Sequence, residues 1–436
     1  MNERETLNIN TIGHLQIGGC DATELAKQYG TPLYVMDEDY IRSVCKSYLS
    51  VLNSYGDALV CYASKAFSTK AIYRICSSEG LGADVVSAGE LITALGGGMD
   101  ADKILFHGNN KSPFELEMAV KNGVHAVVVD SFYEVDILDE IAKEQGKIQS
   151  VLVRVNPGIE AHTHKFIQTT RVDSKFGFSI ADGTAFEVIK TIKSRKNLKF
   201  NGIHCHIGSQ IFSLDPFRLA VDKMTDFIVN LQNEGIEVSE LNLGGGYGVV
   251  YTDADKPLKP VEYVQAIVQK LLVCVESKKI NKPRLILEPG RSIVAEAGVT
   301  LYTIGAIKEI KGIKKYLSVD GGMFESPRYA LYGAEYDCAL ANRMLDKGVE
   351  VVTIAGKCCE SGDMVACDVT LPVAKSGDIL AVFATGAYHY SMASNYNRNL
   401  VPPVVLVKDG KSGYIVKPQT YEDITARDEM PSWIEK

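Results

Sequence analysis

The sequence predicts a (β/α)₈ TIM barrel followed by an all-β domain. Two observations predict it. Eight short apolar runs, each ending in a polar or glycine-rich turn, alternate with stretches of helical spacing over about 250 residues, the usual extent of such a barrel. After residue 300 the pattern changes to short β-rich segments punctuated by turns. The apolar runs are Leu59 to Ala63, Gly82 to Val86, Ile104 to His107, Ala126 to Asp130, Val151 to Val155, Phe200 to Ile207, Leu241 to Leu243 and Leu285 to Leu287. Between them, Ser112 to Asn122 opens with a serine cap and Pro113 and closes at Gly123. Phe132 to Glu144 spaces Val135, Leu138 and Ile141 three apart, and Pro216 to Glu234 carries Phe217, Val221, Met224, Ile228 and Leu231 on one face. An open doubly wound sheet is the competing arrangement. The β segments are Thr300 to Ile307, Lys315 to Val319, Val349 to Ala355, Met364 to Leu371, Ile379 to Thr385, Pro403 to Val407 and Gly413 to Lys417. Lys408-Asp409-Gly410-Lys411 reads as a hairpin turn. The barrel is placed at residues 35–286 and the β domain at 287–436.

Composition narrows the function. A net charge of -8, with no run of like charges, lacks the basic footprint of a nucleic-acid binder. No apolar run reaches the roughly 20 residues that span a bilayer. The start, Met1-Asn2-Glu3-Arg4-Glu5, lacks the basic and apolar stretches of a signal peptide. The cysteines are scattered, with no Cys-x-x-Cys pair and one local cluster at Cys358-Cys359. The expectation is reduced thiols in a cytoplasmic compartment.

In a barrel, chemistry gathers at the C-terminal ends of the strands. Lys65 follows the first run, where a packed stem and a desolvated ammonium make a nucleophilic amine; the alternative is a surface lysine. His204 and His206 follow on the sixth run, two apart and so on one strand face. They read either as packed core histidines or, with no ligand-spaced carboxylate or cysteine nearby, less readily as a metal pair. Gly244-Gly245-Gly246-Tyr247-Gly248 follows the seventh run, where a backbone free of side chains can aim N–H groups at a phosphate, or simply turn. Glu288-Pro289-Gly290-Arg291 follows the eighth, offering an acid for a ring nitrogen and an arginine for a carboxylate or phosphate, or a surface ion pair. A Schiff-base lysine, a phosphate loop and a carboxylate for a pyridinium nitrogen are together what pyridoxal 5′-phosphate requires.

From about residue 30 to about residue 400 the chain resembles the fold-type III pyridoxal-phosphate decarboxylases, and most closely their diaminopimelate-cleaving branch. The resemblance is carried by Tyr-Ala-x-Lys-Ala at 62–66, Gly-Ala-Asp-Val-Val-Ser at 82–87, Arg-Val-Asn-Pro at 154–157, Ser-Lys-Phe-Gly at 174–177 and His-Ile-Gly-Ser at 206–209. It continues in Gly-Gly-Gly at 244–246, Glu-Pro-Gly-Arg at 288–291, Cys-Glu-Ser-Gly-Asp at 359–363 and Gly-Ala-Tyr at 386–388, all in the family's order. It implies an alanine racemase-like barrel and a Greek-key-like β domain that recruits residues 1–34. It implies that Lys65 holds the cofactor, that His206 stacks on its ring and that Glu288 pairs with the ring nitrogen. Ser209, Gly244, Gly245, Gly246 and Tyr388 bind the phosphate on this reading, with Pro289, Gly290 and Arg291 completing the cofactor loop. Arg291, Arg328, Tyr332 and Glu360 hold the substrate, bordered by Tyr388, and Cys359 returns a proton to the α-carbon. Cys359 and Glu360 come from the second subunit, so the implied enzyme is a homodimer. The implied reaction takes meso-2,6-diaminopimelate to L-lysine; the alternative substrate is another basic amino acid such as ornithine, lysine or arginine.

The chain departs from the family in three places. Gly356-Lys357-Cys358-Cys359-Glu360 stands where Gly-Pro-x-Cys-Glu is usual, Arg328-Tyr329 where Arg-Pro is usual, and Thr169-Thr170 where a Thr-Gly step is usual. Two lost prolines are expected to loosen the substrate-facing loops.

Overall fold

The computed structural model describes residues 7–159 and 174–434, so the Thr169-Thr170 step lies outside the described residues. The chain forms two compact units. One comprises Ile41–Val250 and Lys256–Ile293; the other comprises Met1–Tyr40, Tyr251–Asp255 and Val294–Lys436.

The first unit is a closed parallel barrel. Its strands are β1 (Ala58–Ala63), β2 (Gly82–Val85), β3 (Ile104–Phe106), β4 (Ala126–Val129), β5 (Gln149–Asn156), β6 (Leu198–His204), β7 (Glu240–Asn242) and β8 (Arg284–Leu287). Each pairs with the next, and β8 returns to β1 with Leu285 opposite Ala58 and Leu287 opposite Val60. That return closes the ring and excludes the open sheet. Leu59, Cys61, Leu105, Ala126, Val128, Leu152 and Ile286 form one buried cluster. They come from strands on opposite sides of the ring, which meet only through its interior.

The helices follow their sequence signals. Pro113–Asn122 starts in a capping box between Ser112 and Glu115 and ends at Gly123 in the left-handed conformation. Phe132–Glu144 is capped by Ser131 and buries Val135, Leu138 and Ile141. Asp215–Asn233 buries Phe217, Val221, Met224, Ile228 and Leu231.

The second unit is built on the long strand Gly298–Ile310. Leu33–Asp37 and Ile379–Phe383 flank its first half antiparallel, and Lys314–Val319 pairs with its second half. Glu350–Ala355 and Met364–Leu371 extend one side, and Val404–Lys408 and Lys411–Val416 the other. The last two form the hairpin marked by Asp409-Gly410. The unit is not purely β, since it includes the helices Ala22–Tyr29 and Arg328–Tyr332.

Two boundaries differ from 35 and 286. Leu33–Asp37 pairs with Gly298–Ile310 and Val404–Lys408, so the chain through Tyr40 belongs to the sheet unit. At the other end the barrel unit runs on to Ile293, because Ser292 is bonded to buried Tyr48 at 2.6 Å. Among the described residues, no helix is long and apolar enough to cross a membrane.

Leu152→Ala removes buried volume where five strands converge. It should lower unfolding stability by about 2–5 kcal/mol, read as a shifted urea midpoint.

Candidate functional site

Lys65 lies in a single 3₁₀ turn, Ser64–Ala66, at the end of β1. Ser64 and Ala66 are buried and Lys65 is exposed. The expected desolvated ammonium is therefore corrected. Successive side chains of a 3₁₀ turn point about 120° apart, and Ser64 takes the inward direction, donating to the Asp84 carbonyl at 2.7 Å. Lys65 forms no ion pair among the described residues.

Glu288 follows β8 and is buried. Its Oε1 accepts from His107 Nε2 at 2.7 Å and Asn242 Nδ2 at 2.6 Å, and its Oε2 from His204 Nε2 at 3.1 Å. Burial pushes the carboxyl upward, but His107 and His204 outweigh it and hold Glu288 well below the usual carboxylate range. The two imidazoles differ. Burial disfavours a charge on His107, yet Asp84 at 3.8 Å and Glu288 raise it above its ordinary value. Burial takes His204 down to about 4 despite Glu288.

The two histidines of the sixth run do not converge. His204 turns to Glu288, while half-buried His206 accepts from the Gly245 N–H at 3.4 Å. Burial, then the charges of Lys65 and Arg154, keeps His206 well below the usual imidazole range. The donor atoms of His107, His204 and Glu288 do lie within 4.8 Å of one another, with each imidazole directed at the carboxylate.

The glycine run has a packing cause that sequence reasoning did not foresee. A Cβ at Gly244, Gly245 or Gly246 would stand 2.7, 2.2 or 2.3 Å from the carbonyl oxygens of Cys205, Glu288 and Gly208. The Gly244 N–H is donated to Asn242 Oδ1 at 2.9 Å and that of Gly245 to His206. Pro289 and Gly290 likewise clamp the end of β1. Ala63 donates to the Pro289 carbonyl at 3.0 Å, and a Cβ on Gly290 would lie 2.7 Å from the Ala63 oxygen. Buried Arg291 donates to Ser209 Oγ through Nε at 3.2 Å and Nη2 at 3.0 Å.

The barrel thus brings together Lys65, His206, Ser209, Gly244–Gly246 and Glu288–Arg291. Sequence reasoning missed Asp84, His107 and Asn242. Their signal was position, since each lies within one residue of the C-terminal end of a barrel strand.

The remaining predicted residues lie in the second unit. Buried Arg328 donates from Nη1 to Tyr251 Oη at 3.0 Å. Its guanidinium carbon is 5.3, 6.0 and 5.5 Å from the ring centres of Tyr251, Tyr332 and Tyr388. Its Nε has no hydrogen-bond partner, and no carboxylate pairs with it among the described residues. Cys359 is exposed, with its N–H donated to Asn397 Oδ1 at 2.8 Å. Burial and Asp363 push the neighbouring Cys358 thiol up to about 11. Glu360 is exposed. The loss of proline at 357 does not leave its loop unrestrained: the Lys357 N–H donates to the Gly321 carbonyl at 2.9 Å, a bond proline cannot make. Beneath these loops Glu325 is fully buried, its Oε1 accepting from Tyr302 Oη at 2.7 Å and Gly322 N at 3.1 Å. Burial pushes its carboxyl up to about 8.

The donor set fits pyridoxal phosphate. Lys65 is an accessible amine, and Glu288 is an ionised carboxylate with one acceptor site left of roughly four. Arg291 and Ser209 offer anion-binding donors. The family profile "Pyridoxal-dependent decarboxylase, pyridoxal binding domain" matches residues 40–295. The chain belongs to the pyridoxal-dependent decarboxylases. Within them it is 48% identical to the diaminopimelate decarboxylase of Bacillus subtilis over 96% of each chain. The crystal structure of the diaminopimelate decarboxylase of M. jannaschii in co-complex with L-lysine superposes with a TM-score of 0.94 at 38% identity, covering 100% of both chains. A lysine/ornithine decarboxylase from Vibrio vulnificus shares the fold at a TM-score of 0.75, with 22% identity over 89% of this chain and 97% of that one.

Glu325 supplies a pH test. Between about pH 4.5 and 8 the folded chain holds a proton there that the unfolded chain has released, so stability falls as pH rises. Glu325→Gln should be more stable than wild type at pH 8 by on the order of 1 kcal/mol or more, read as a higher urea midpoint, and near wild type at pH 5. A lower midpoint at pH 8 contradicts the assignment.

Proposed function

We propose that the chain decarboxylates meso-2,6-diaminopimelate to L-lysine and carbon dioxide with pyridoxal 5′-phosphate as cofactor. The observation that carries the substrate is Arg328, a buried cation with an unpartnered Nε and no acidic partner among the described residues. A guanidinium fork matches a carboxylate, and diaminopimelate keeps one at its far end. Ornithine and lysine end in an amine and offer Arg328 nothing to pair with. Exposed Glu360, on the same unit, suits the far-end ammonium.

When bound, the cofactor supplies a ring that accepts the electrons released as carbon dioxide leaves. On the barrel unit, Lys65 is the amine that holds it. Glu288 presents an ionised oxygen to the ring nitrogen. His206, kept neutral, covers the ring face. Ser209, the Gly244–Gly246 loop and Arg291 bind its phosphate or the substrate carboxylate. The family resemblance also gives Tyr388 a phosphate-binding role, and gives Arg328 and Tyr332 the role of orienting the substrate. The Cys359 thiol gives a proton to the α-carbon. Its exposure favours it over Cys358, whose thiol is tied down by burial and Asp363.

The active form on this reading is a homodimer in which Cys359 and Glu360 serve the partner's site. All ten cysteines are free thiols, which suits a reducing, cytoplasmic setting.

The direct test is steady-state decarboxylation of meso-diaminopimelate against ornithine, lysine and arginine, with lysine measured as product. A preference for ornithine or lysine would overturn the substrate. Lys65→Ala should abolish borohydride trapping of the cofactor. Cys359→Ala should cut turnover about 100-fold or more with cofactor still bound. Mixing these two inactive variants should restore up to about a quarter of wild-type activity, since a homodimer sharing its sites regains one intact site per mixed dimer. No recovery would place Cys359 with its own chain's lysine.

A further inference from the structure

Asp363 is 2% exposed, and no cation pairs with it among the described residues. Its charge is met by backbone. Oδ1 accepts from Met323 N at 2.5 Å and Oδ2 from Cys358 N at 2.7 Å. Its own carbonyl accepts from Gly356 N at 2.9 Å, and its N–H donates to the Glu360 carbonyl at 3.1 Å. A Cβ on Gly322 would lie 2.6 Å from its carboxylate and one on Gly356 2.3 Å, so both glycines make room for it. One side of the carboxylate therefore grips the segment leading to Arg328, and the other grips the segment carrying Cys359 and Glu360. Lys357 N to Gly321 O, at 2.9 Å, runs alongside as a parallel tie.

We infer that Asp363 is a positioning residue that sets the substrate-side loop 356–363 in register with the segment 321–328, resting on the reading of Arg328, Cys359 and Glu360 as substrate-side residues. A carboxylate is needed because only an ionised group accepts strongly in both directions at once. Asparagine at this position turns one acceptor into an N–H that faces another N–H. Buried charge-assisted hydrogen bonds carry large effects when one partner is removed, and misplacing a reacting group by about an ångström costs about 100-fold in rate.

The test compares wild type, Asp363→Asn and Asp363→Ala as holoenzymes. Three quantities are measured: bound pyridoxal phosphate per subunit by absorbance, kcat/KM on meso-diaminopimelate, and the iodoacetamide alkylation rate of each cysteine by peptide mass spectrometry. Asp363→Asn, near-isosteric, should keep full cofactor content, lose about 10- to 100-fold in kcat/KM, and change the Cys359 alkylation rate at least about threefold with Cys45, Cys61 and Cys76 unchanged. Asp363→Ala should exceed it in both effects. A Cys359 rate within about twofold of wild type in Asp363→Asn overturns the inference, as does equal acceleration at every thiol, which marks general unfolding. If wild type fails on meso-diaminopimelate, the substrate reading falls, while the Cys359 rates still decide the role of Asp363.

Discussion

The barrel is organised around the burial of one carboxylate. Removing an ion such as Glu288 from water costs several kcal/mol, and an unpaired charge there would be among the largest defects a fold can carry. The cost is offset by donors from His107 after β3, His204 at the end of β6 and Asn242 at the end of β7. These contacts fix three strand ends around the residue that follows β8. The constraint then spreads along the loops. Asn242 holds Gly244, Gly244 accepts from the Glu288 N–H at 2.7 Å, and Gly245 reaches His206. The position of His206, proposed to cover the cofactor ring, is thus tied to that of Glu288, proposed to meet the ring nitrogen. Of the two imidazoles, His107 sits between two carboxylates and favours its cation. His204 lacks that second partner and stays neutral.

The second unit meets the same problem in three ways. Asp363 is met by backbone N–H groups. Glu325, close by and fully buried, keeps its proton instead, which relieves repulsion between the two acids. Arg328 lies among tyrosine rings, whose faces attract a cation without neutralising it, and so retains its capacity for an anionic ligand.

Much of this was legible in the sequence. Apolar runs bounded by polar turns located all eight barrel strands because a strand buried on both faces has few polar options. The serine caps and Gly123 marked helix ends for local reasons of hydrogen bonding and backbone freedom. What could not be read depended on contacts distant along the chain. Leu33–Asp37 resembles an opening barrel strand, and only its pairing with Gly298–Ile310 assigns it elsewhere. The glycines at 244–246 suggested a cradle for a phosphate, whereas the carbonyls of Cys205, Glu288 and Gly208 also forbid side chains there. The lost proline at 357 suggested a looser loop, and the bond it permits to Gly321 has no local signature. Lys65 was expected in a dry setting because a strand precedes it, but in the 3₁₀ turn that follows it is Ser64 that is buried while Lys65 stays exposed.

The central claim is that the charge on Glu288 sustains the reaction. Its most direct test is the decarboxylation rate of Glu288→Gln relative to wild type, with bound cofactor matched by absorbance. Glutamine keeps the shape and removes the charge. The rate should fall by about 100-fold or more at equal cofactor content. A rate within about threefold of wild type would contradict the account.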